Sequence, residues 1–445
     1  MSQSILDKRM NIVTLTGPLF VEMLLRTALG TSDIFMLSGY SDKAVSAVGL
    51  INQITFFLIL ISMMVASGAS ILISQNLGAG NNKQAAQVNI ASVVLGLLVG
   101  SSLSLMGFFS AKEVIGLFTL EPEVALYAYQ YLIISTSCAI VITFGVILST
   151  ILRSFGLPNY SMRINLFAGV LNIIGNYIAL YQPLGLPVFG VPGVAISTIL
   201  SQMVSTILFA VMIKVKHIPM PFRYIGEISW SLYKKIMRLG MLNAGEILSY
   251  NLSQMVMISF VAKMGTNALA SYTYAQTISR IIFSFGVSIG QGSQVLTSYY
   301  VGKEWFDSIY KKVKYYYIVA LCVAVSLTLI MYICRYPIIH LFTHDAEITT
   351  LFVSLLAFSI YVEAGRAGNQ VFISSLKGAG DVKFPVQCGI FSMWIIGVGG
   401  AYFLGLGLEW GVVGVWIATG TDEWCRSLIM TQRWFSKKWT EFKLV

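Results

Sequence analysis

Three charged residues interrupt the first long apolar stretch of the chain, about residues 11–37: Glu22, Arg26 and Asp33. Because a helix turns ~100° per residue, their side chains all lie on one side of it. A charge in the middle of a bilayer is costly, so such residues face a bundle interior or a wet cavity. There, a carboxylate can exchange a proton or hold a cation, and a guanidinium group can bind an anionic group of another molecule.

The spacing divides these three residues into two groups. Glu22 and Arg26 are four residues apart, which is compatible with an ion pair that only packs helices and equally with a role in a cavity. Asp33 has no basic residue four positions away. It is therefore the stronger candidate for binding a proton, an ion or a substrate.

The composition places these residues in a polytopic membrane protein. Of the 445 residues, 56% are hydrophobic and only 11% are charged, whereas soluble chains have about 25% charged residues. Apolar runs long enough to cross a bilayer predict an all-α protein with twelve membrane helices. Their predicted ranges are residues 11–37, 45–75, 86–109, 124–152, 160–182, 190–214, 238–262, 268–299, 312–334, 347–376, 384–406 and 410–432.

The net charge of +10 follows from topology. Most Lys and Arg residues fall in alternate loops and in the two tails, while the other loops hold only Lys43, Lys112, Lys263 and Arg335. This asymmetry is the positive-inside rule, and it predicts that both termini are cytoplasmic. We expect the cytoplasmic membrane as the location, the lipid bilayer as a partner, and no nucleic acid as a partner.

Other kinds of site are not indicated. The five cysteines are scattered without a CxxC pair, and of the three histidines only His340 and His344 have helical spacing. We therefore predict no metal site and no cofactor. The chain has no GxxxxGK[ST] phosphate-binding loop, and we predict that it is not an enzyme.

The chain contains an internal repeat at an offset of about 224 residues. Glu22 corresponds to Glu246, Gly68 to Gly292, and 117–119 (Leu-Phe-Thr) to 341–343, which has the same three residues. The offset spans six predicted helices, so the two halves have the same orientation and form two six-helix lobes with a parallel repeat. The predicted divisions are an N-terminal lobe at 1–213, a cytoplasmic linker at 214–237 with a surface helix over 230–238, and a C-terminal lobe at 238–445.

Further polar residues lie in the predicted helices of the second half. Asn243, Glu246, Tyr250 and Gln254 share one face of the seventh helix, which predicts either a cavity wall or a buried network. Gln276 and Arg280 form a stripe on the eighth helix, and Arg280 is a candidate to neutralise Glu246 or Glu363. Glu363 and Arg366 are expected to pair, as are Asp422 and Arg426.

The predicted helices contain more acids than bases. Away from the helix ends, the acids are Glu22, Asp33, Glu246, Glu363, Asp422 and Glu423, and the bases are Arg26, Arg280 and Arg366. Arg153, Lys377 and Arg426 are assigned to cytoplasmic loops or helix ends. This surplus of carboxylates favours cationic cargo over the phosphate of a lipid-linked precursor. A channel is the main rival from another class, although no repeat typical of a selectivity filter is present.

Several motifs resemble those of the multidrug and toxic compound extrusion (MATE) family. They are Pro18-x3-Glu22-x10-Asp33 in the first helix, Leu171-Asn172-Ile-Ile-Gly-Asn176 in the fifth, Gly190-Val-Pro-Gly193 in the sixth, and Glu363-Ala-Gly-Arg366 in the tenth. Their order and spacing extend the resemblance over nearly the whole chain. It implies a secondary transporter that exports bulky, often cationic drugs in exchange for H+ or Na+.

The resemblance also implies a set of residues for ion coupling: Asp33, Asn172, Asn176 and Thr198. The family often has an Asp where this chain has Asn176. One carboxylate fewer weakens a fixed Na+ site, because hard cations favour charged oxygen ligands. The NorM-like branch has acids where this chain has Tyr250 and Arg366, so we expect no Na+ site in the C-terminal lobe.

These observations predict a monomeric multidrug/H+ antiporter for cationic and amphipathic small molecules that works by alternating access. Na+ coupling is the alternative, followed by a lipid-precursor flippase and a passive facilitator. The candidate residues of the substrate cavity are Glu22, Arg26, Glu246, Tyr250, Gln254, Gln276, Arg280, Glu363 and Arg366.

Overall fold

The computed structural model describes residues 3–181, 185 and 187–445, and over these residues the chain is helical without any strand. Helices are the expected outcome for such an apolar chain, because the hydrocarbon core of a bilayer offers no partner to backbone N–H and C=O groups. Each predicted membrane helix overlaps one long helical segment of the structure.

The twelve long helical segments of the described residues are numbered first to twelfth in chain order. They are Ile12–Ser38, Asp42–Gly78, Asn82–Gly116, Pro122–Ser137 with Ala139–Ser154, Pro158–Tyr181, Gly190–Val215, Trp230–Lys263, Thr266–Gly302, Phe306–Ile333, Ala346–Ala379, Lys383–Ser392 with its continuation to Gly407, and Gly411–Phe435. Short helical elements are Gln3–Arg9, Phe222–Glu227, Arg335–His340 and Lys438–Phe442.

Not all of the long helices are apolar enough to be recognised as membrane spans by length and composition alone. Among the described residues, eight meet that test, or nine when the bent fourth helix counts as one span. The seventh, eighth and twelfth helices do not. These three carry many of the polar candidate residues, which lowers their hydropathy.

The link between the two halves is shorter than the predicted linker at 214–237. The sixth helix continues to Val215 and the seventh begins at Trp230. The predicted separate surface helix over 230–238 is wrong, because these residues form the first turns of the seventh helix. Since this stretch contains no Pro or Gly, nothing in it interrupts a helix.

Two of the long helices depart from regular α geometry. The fourth bends by 49° between Ser137 and Ala139. The eleventh is π-helical over Met393–Val398 and Ala401–Gly407. This part of the eleventh helix is rich in glycine, which weakens the regular α conformation.

The chain forms two compact units. The N-terminal unit comprises Met1–Met10, Val21–Ile73 and Asn81–Ala244, and the C-terminal unit comprises Asn11–Phe20, Ser74–Gly80 and Gly245–Val445. The first helix is thus divided after Phe20 and the seventh after Ala244, two positions that correspond under the 224-residue offset. The division therefore respects the internal repeat.

Two glycines of the C-terminal unit allow the second and eighth helices to cross closely. A Cβ atom on Gly78 would overlap the carbonyl oxygen of Tyr299, and one on Gly302 would overlap that of Gln75. Under the offset, Gly78 corresponds to Gly302 and Gln75 to Tyr299. Small residues at such crossings let the helix backbones approach each other in membrane proteins.

We expect Gly78→Ala to lower the free energy of unfolding by about 1–3 kcal/mol, because the added methyl group meets backbone atoms that cannot rotate away. The matched control is Gly49→Ala in the same helix, where a Cβ atom has open space around it. Thermal unfolding in detergent measures both. Equal stability of the two variants would contradict the close crossing.

Candidate functional site

The predicted ion-coupling residues come together in the N-terminal unit. The side-chain amide of Asn176 on the fifth helix donates a hydrogen bond to Asp33 on the first, with 2.6 Å between Nδ2 and Oδ1. One turn earlier, Asn172 Nδ2 donates to Thr198 Oγ1 on the sixth helix over 3.1 Å. The structure thus places all four residues along one face of the fifth helix.

Local sequence explains why these helices approach one another. Asn172 and Asn176 are four residues apart, so they project from the same face of the fifth helix, and both are buried. A Cβ atom on Gly169 would overlap the Leu29 side chain of the first helix, and one on Gly175 would overlap Ser197 of the sixth. These two glycines let the neighbouring helices close around the asparagines.

The Asp33 site contains one buried acceptor atom without a donor among the described residues. Oδ1 of Asn176 is buried and has no hydrogen-bond partner among the residues that the structure describes. Asp33 is half-buried and forms no ion pair with any described base. A carboxylate and an amide oxygen without cationic partners are suited to hold a proton or a small cation. Nowhere in the described ranges do three His, Cys, Asp or Glu residues form a metal-binding group.

Sequence reasoning missed Tyr131 at this site. The residue lies on the fourth helix, is buried, and interacts electrostatically with Asp33. Its position among the apolar residues of that helix resembles ordinary core packing. Only the packing of the fourth helix against the others brings its hydroxyl group to the acid.

Glu22 is part of a second polar group in the N-terminal unit. It accepts hydrogen bonds from Ser161 Oγ over 3.1 Å and from Asn165 Nδ2 over 2.8 Å, both on the fifth helix. Its contact with Arg26 is longer, at 3.9 Å, and the Arg26 side chain is 65% exposed. Glu22 therefore ties the first helix to the fifth, and its pair with Arg26 is loose.

In the C-terminal unit, Glu246 forms a salt bridge with Lys377. The prediction placed Lys377 in a loop, but the tenth helix continues to Ala379 and carries the lysine into the bundle. The candidate pairing of Arg280 with Glu246 or Glu363 is wrong, because Lys377 and Arg366 occupy these two carboxylates.

A larger charged network links the tenth and twelfth helices. The predicted pair of Glu363 and Arg366 is confirmed at 2.7 Å, and Arg366 also contacts Glu423 at 3.3 Å. The predicted pair of Asp422 and Arg426 is confirmed at 2.5 Å, and Arg426 also contacts Glu423 at 3.1 Å. All five side chains are largely buried, so each charge depends on its partners.

The structure changes the balance of charges inferred from the sequence. Arg153, Lys377 and Arg426, which were assigned to loops or helix ends, are close to buried acids. Added to Arg26, Arg280 and Arg366, they bring the bases to six, which equals the number of acids named from the sequence. The argument that a surplus of carboxylates favours cationic cargo therefore loses its basis.

The seventh and eighth helices form a wall of polar and aromatic residues in the C-terminal unit. Gln276 donates to the Tyr272 hydroxyl over 3.0 Å and to Gln254 Oε1 over 3.4 Å. The rings of Tyr250 and Phe283 stack with centroids 6.5 Å apart. The structure brings these candidate cavity residues together, whereas the Arg280 side chain is exposed and joins none of these contacts.

Comparison with known proteins shows where this architecture occurs. The family model MatE matches residues 18–178 and again residues 244–403. The "Uncharacterized transporter YisQ" of Bacillus subtilis is 35% identical over 440 residues, which cover 98% of this chain and 96% of that protein. The "Probable multidrug resistance protein NorM" of Thermotoga maritima is 26% identical over 441 residues, which cover 97% of this chain and 93% of that protein.

Solved structures support the fold. One described as "Crystal structure of MATE in the bent conformation" superposes with a TM-score of 0.89 at 21% identity, covering 98% of this chain and 99% of that one. Another, described as "Outward-facing conformation of a multidrug resistance MATE family transporter of the MOP superfamily", gives 0.87 at 21% identity over 98% and 96%. They confirm the predicted fold class of two six-helix lobes. Because one family model matches both halves and together covers most of the sequence, the chain belongs to the MatE family of membrane transporters.

Proposed function

We propose that the protein exports bulky amphipathic organic molecules, cationic drugs among them, in exchange for protons. The relatives named as probable multidrug resistance proteins support efflux as the activity. One observation supports the proton as the coupling ion. Asp33 is a carboxylate without a basic partner in the described structure, and a neutral amide is its hydrogen-bond partner.

A neutral amide suits both protonation states of a carboxyl group. Asn176 donates from Nδ2 to the ionised form of Asp33, as observed. After a rotation of the amide, its Oδ1, which has no partner among the described residues, accepts a hydrogen bond from the protonated form. The side chain therefore supports binding and release of a proton without leaving either form unpaired.

Exchange requires that the proton and the cargo favour different conformations. Protonation of Asp33 neutralises the one carboxylate of this site, and a bound cationic cargo favours the ionised form. The two ligands then oppose each other through a coupling free energy, which is reciprocal. Alternating access converts this opposition into uphill export, provided that each conformation binds one ligand better. We further propose a monomer in the cytoplasmic membrane with both termini inside.

The test uses purified protein in liposomes with a fluorescent cationic dye. A proton gradient and a sodium gradient are imposed separately, each with the membrane potential clamped. We expect the dye to move against its own gradient only when a proton gradient is present. Movement driven by sodium alone would replace proton coupling with sodium coupling, and simple equilibration of the dye would indicate a facilitator.

We expect Asn176→Asp to make transport respond to sodium. A second carboxylate beside Asp33 adds an attraction for a bound cation of about 1 kcal/mol even with the strong screening of bulk water, and about 4 kcal/mol near a protein surface. Sodium binding is therefore expected to become tighter by roughly fivefold or more. Dye transport measured against sodium concentration checks this. The control is Asn82→Asp, which adds the same charge at the exposed start of the third helix. An unchanged sodium response in the Asn176 variant would contradict the assignment of this site.

A further inference from the structure

Arg280 lies on a long helix of the C-terminal unit but, unlike three other bases on long helices of that unit, it has no acidic partner among the described residues. Arg366, Lys377 and Arg426 each form salt bridges with carboxylates. The Arg280 side chain is exposed, and no carboxylate lies within salt-bridge distance of it in the part of the chain that the structure describes. Glu246 and Glu363, the two partners predicted for Arg280, are paired with Lys377 and Arg366 instead.

A guanidinium group stays charged under all physiological conditions. It is too costly to leave it unpaired in lipid hydrocarbon, so the helix face that carries Arg280 is in contact with water or with a bound anion. The same face carries exposed Thr273 and Thr277, which lie two turns and one turn before Arg280. The eighth helix therefore presents a polar stripe, as expected for a wall of a water-filled cavity.

An aromatic surface lies beside this stripe. Phe283 follows Arg280 by three residues, and its ring stacks on Tyr250 at an interplanar angle of 22°. The guanidinium of Arg366 lies 5.1 Å from the centroid of the Phe283 ring. Both rings are only half-buried. A flat apolar molecule thus has aromatic partners within one helical turn of an unpaired cation.

We propose that Arg280 binds an acidic group of the transported molecule, so that amphipathic carboxylates and zwitterions are among its cargo. The planar guanidinium fork matches the two oxygens of a carboxylate, and the Tyr250–Phe283 stack receives the apolar part. The proposal rests on the proposed export function, and it names a residue that selects cargo by charge.

Dye binding in detergent tests this without any ion gradient. The probes are a rhodamine with a free carboxylate and the same rhodamine as its ethyl ester. Arg280→Gln is expected to weaken binding of the acid by roughly tenfold or more, since hydrogen bonds to charged groups are strong, and to change binding of the ester by less than about twofold. Arg280→Lys retains the charge and is expected to recover part of the affinity. Lys311→Gln, which removes an exposed base elsewhere in this unit, is the control.

Several outcomes would overturn the proposal. They are an equal loss for both dyes in Arg280→Gln, unchanged binding of the acid, and failure of the acid to bind the wild-type protein. A third arm adds anionic lipid. If the lipid displaces the acid from the wild type at equal headgroup concentration, Arg280 serves a lipid phosphate and the cargo assignment is wrong. Because binding needs no gradient, a failure of proton coupling would leave this result unaffected.

Discussion

Replacing Asp33 with Asn is expected to lower the rate of proton-driven dye accumulation by roughly 5- to 150-fold, the factor that typical coupling free energies of about 1–3 kcal/mol correspond to. Asparagine keeps the size of the side chain and removes the group that takes up the proton. Cargo then has no opposing ligand at this site, and the proton gradient can no longer change the preference between conformations. Dye transport by the variant in proteoliposomes under a proton gradient measures the effect.

The control for Asp33→Asn is Asp42→Asn, which removes an exposed acid at the start of the second helix. It is expected to transport dye at the wild-type rate. Thermal unfolding in detergent distinguishes loss of coupling from loss of fold, because among the described residues Asn176 is the side chain that hydrogen-bonds Asp33. A folded Asp33→Asn protein that still accumulates dye would move proton coupling to another acid, such as Glu22 or the network of the C-terminal unit.

The second large effect is on stability. Arg426→Gln is expected to lower the free energy of unfolding by about 3–5 kcal/mol, because removing one member of a buried ion pair leaves its partner uncompensated. Two carboxylates are affected here, since Arg426 contacts both Asp422 and Glu423. Among the described residues, Asp422 then keeps the hydrogen bond from Ser392 Oγ at 2.5 Å, which does not neutralise its charge. Denaturant or thermal unfolding in detergent provides the measurement.

An exposed ion pair provides the comparison for Arg426. Lys437 lies 3.0 Å from Asp307, and both side chains are more than half exposed. Such pairs contribute little, so Lys437→Gln is expected to leave stability nearly unchanged. If Arg426→Gln were as stable as Lys437→Gln, the two carboxylates would have to be neutral in the folded protein, and the network would be a store of protons instead of a set of ion pairs.

Ion pairs between residues of the same helix could be predicted from the sequence. The pairs Glu363–Arg366 and Asp422–Arg426 follow from helical spacing, because side chains three or four residues apart lie next to each other whatever the tertiary structure is. The family motifs similarly selected Asp33, Asn172, Asn176 and Thr198 as one set. The closeness of Asp33 and Asn176, which are 143 residues apart, could only be supposed from that resemblance.

Contacts between residues of different helices could not be predicted from helical spacing. Lys377 binds Glu246 across 131 residues of sequence, and the lysine lay outside the predicted helix. Tyr131 reaches Asp33 from an apolar segment that carries no sign of function. The predicted partner of Arg280 was wrong because helical spacing says which face a residue occupies but not which helix lies opposite.

The amino-acid sequence by itself determined the helical class, the number of long helices, the six-helix repeat and the residues that share a helix face. These properties depend on hydropathy and on local periodicity, which are properties of short segments. The tertiary structure alone decided which charges on the long helices are neutralised and which remain available, namely Asp33 in one unit and Arg280 in the other. That outcome depends on the rotation and closeness of helices far apart in the chain, because the energy of a charge in a membrane protein is set by the groups within a few ångströms of it.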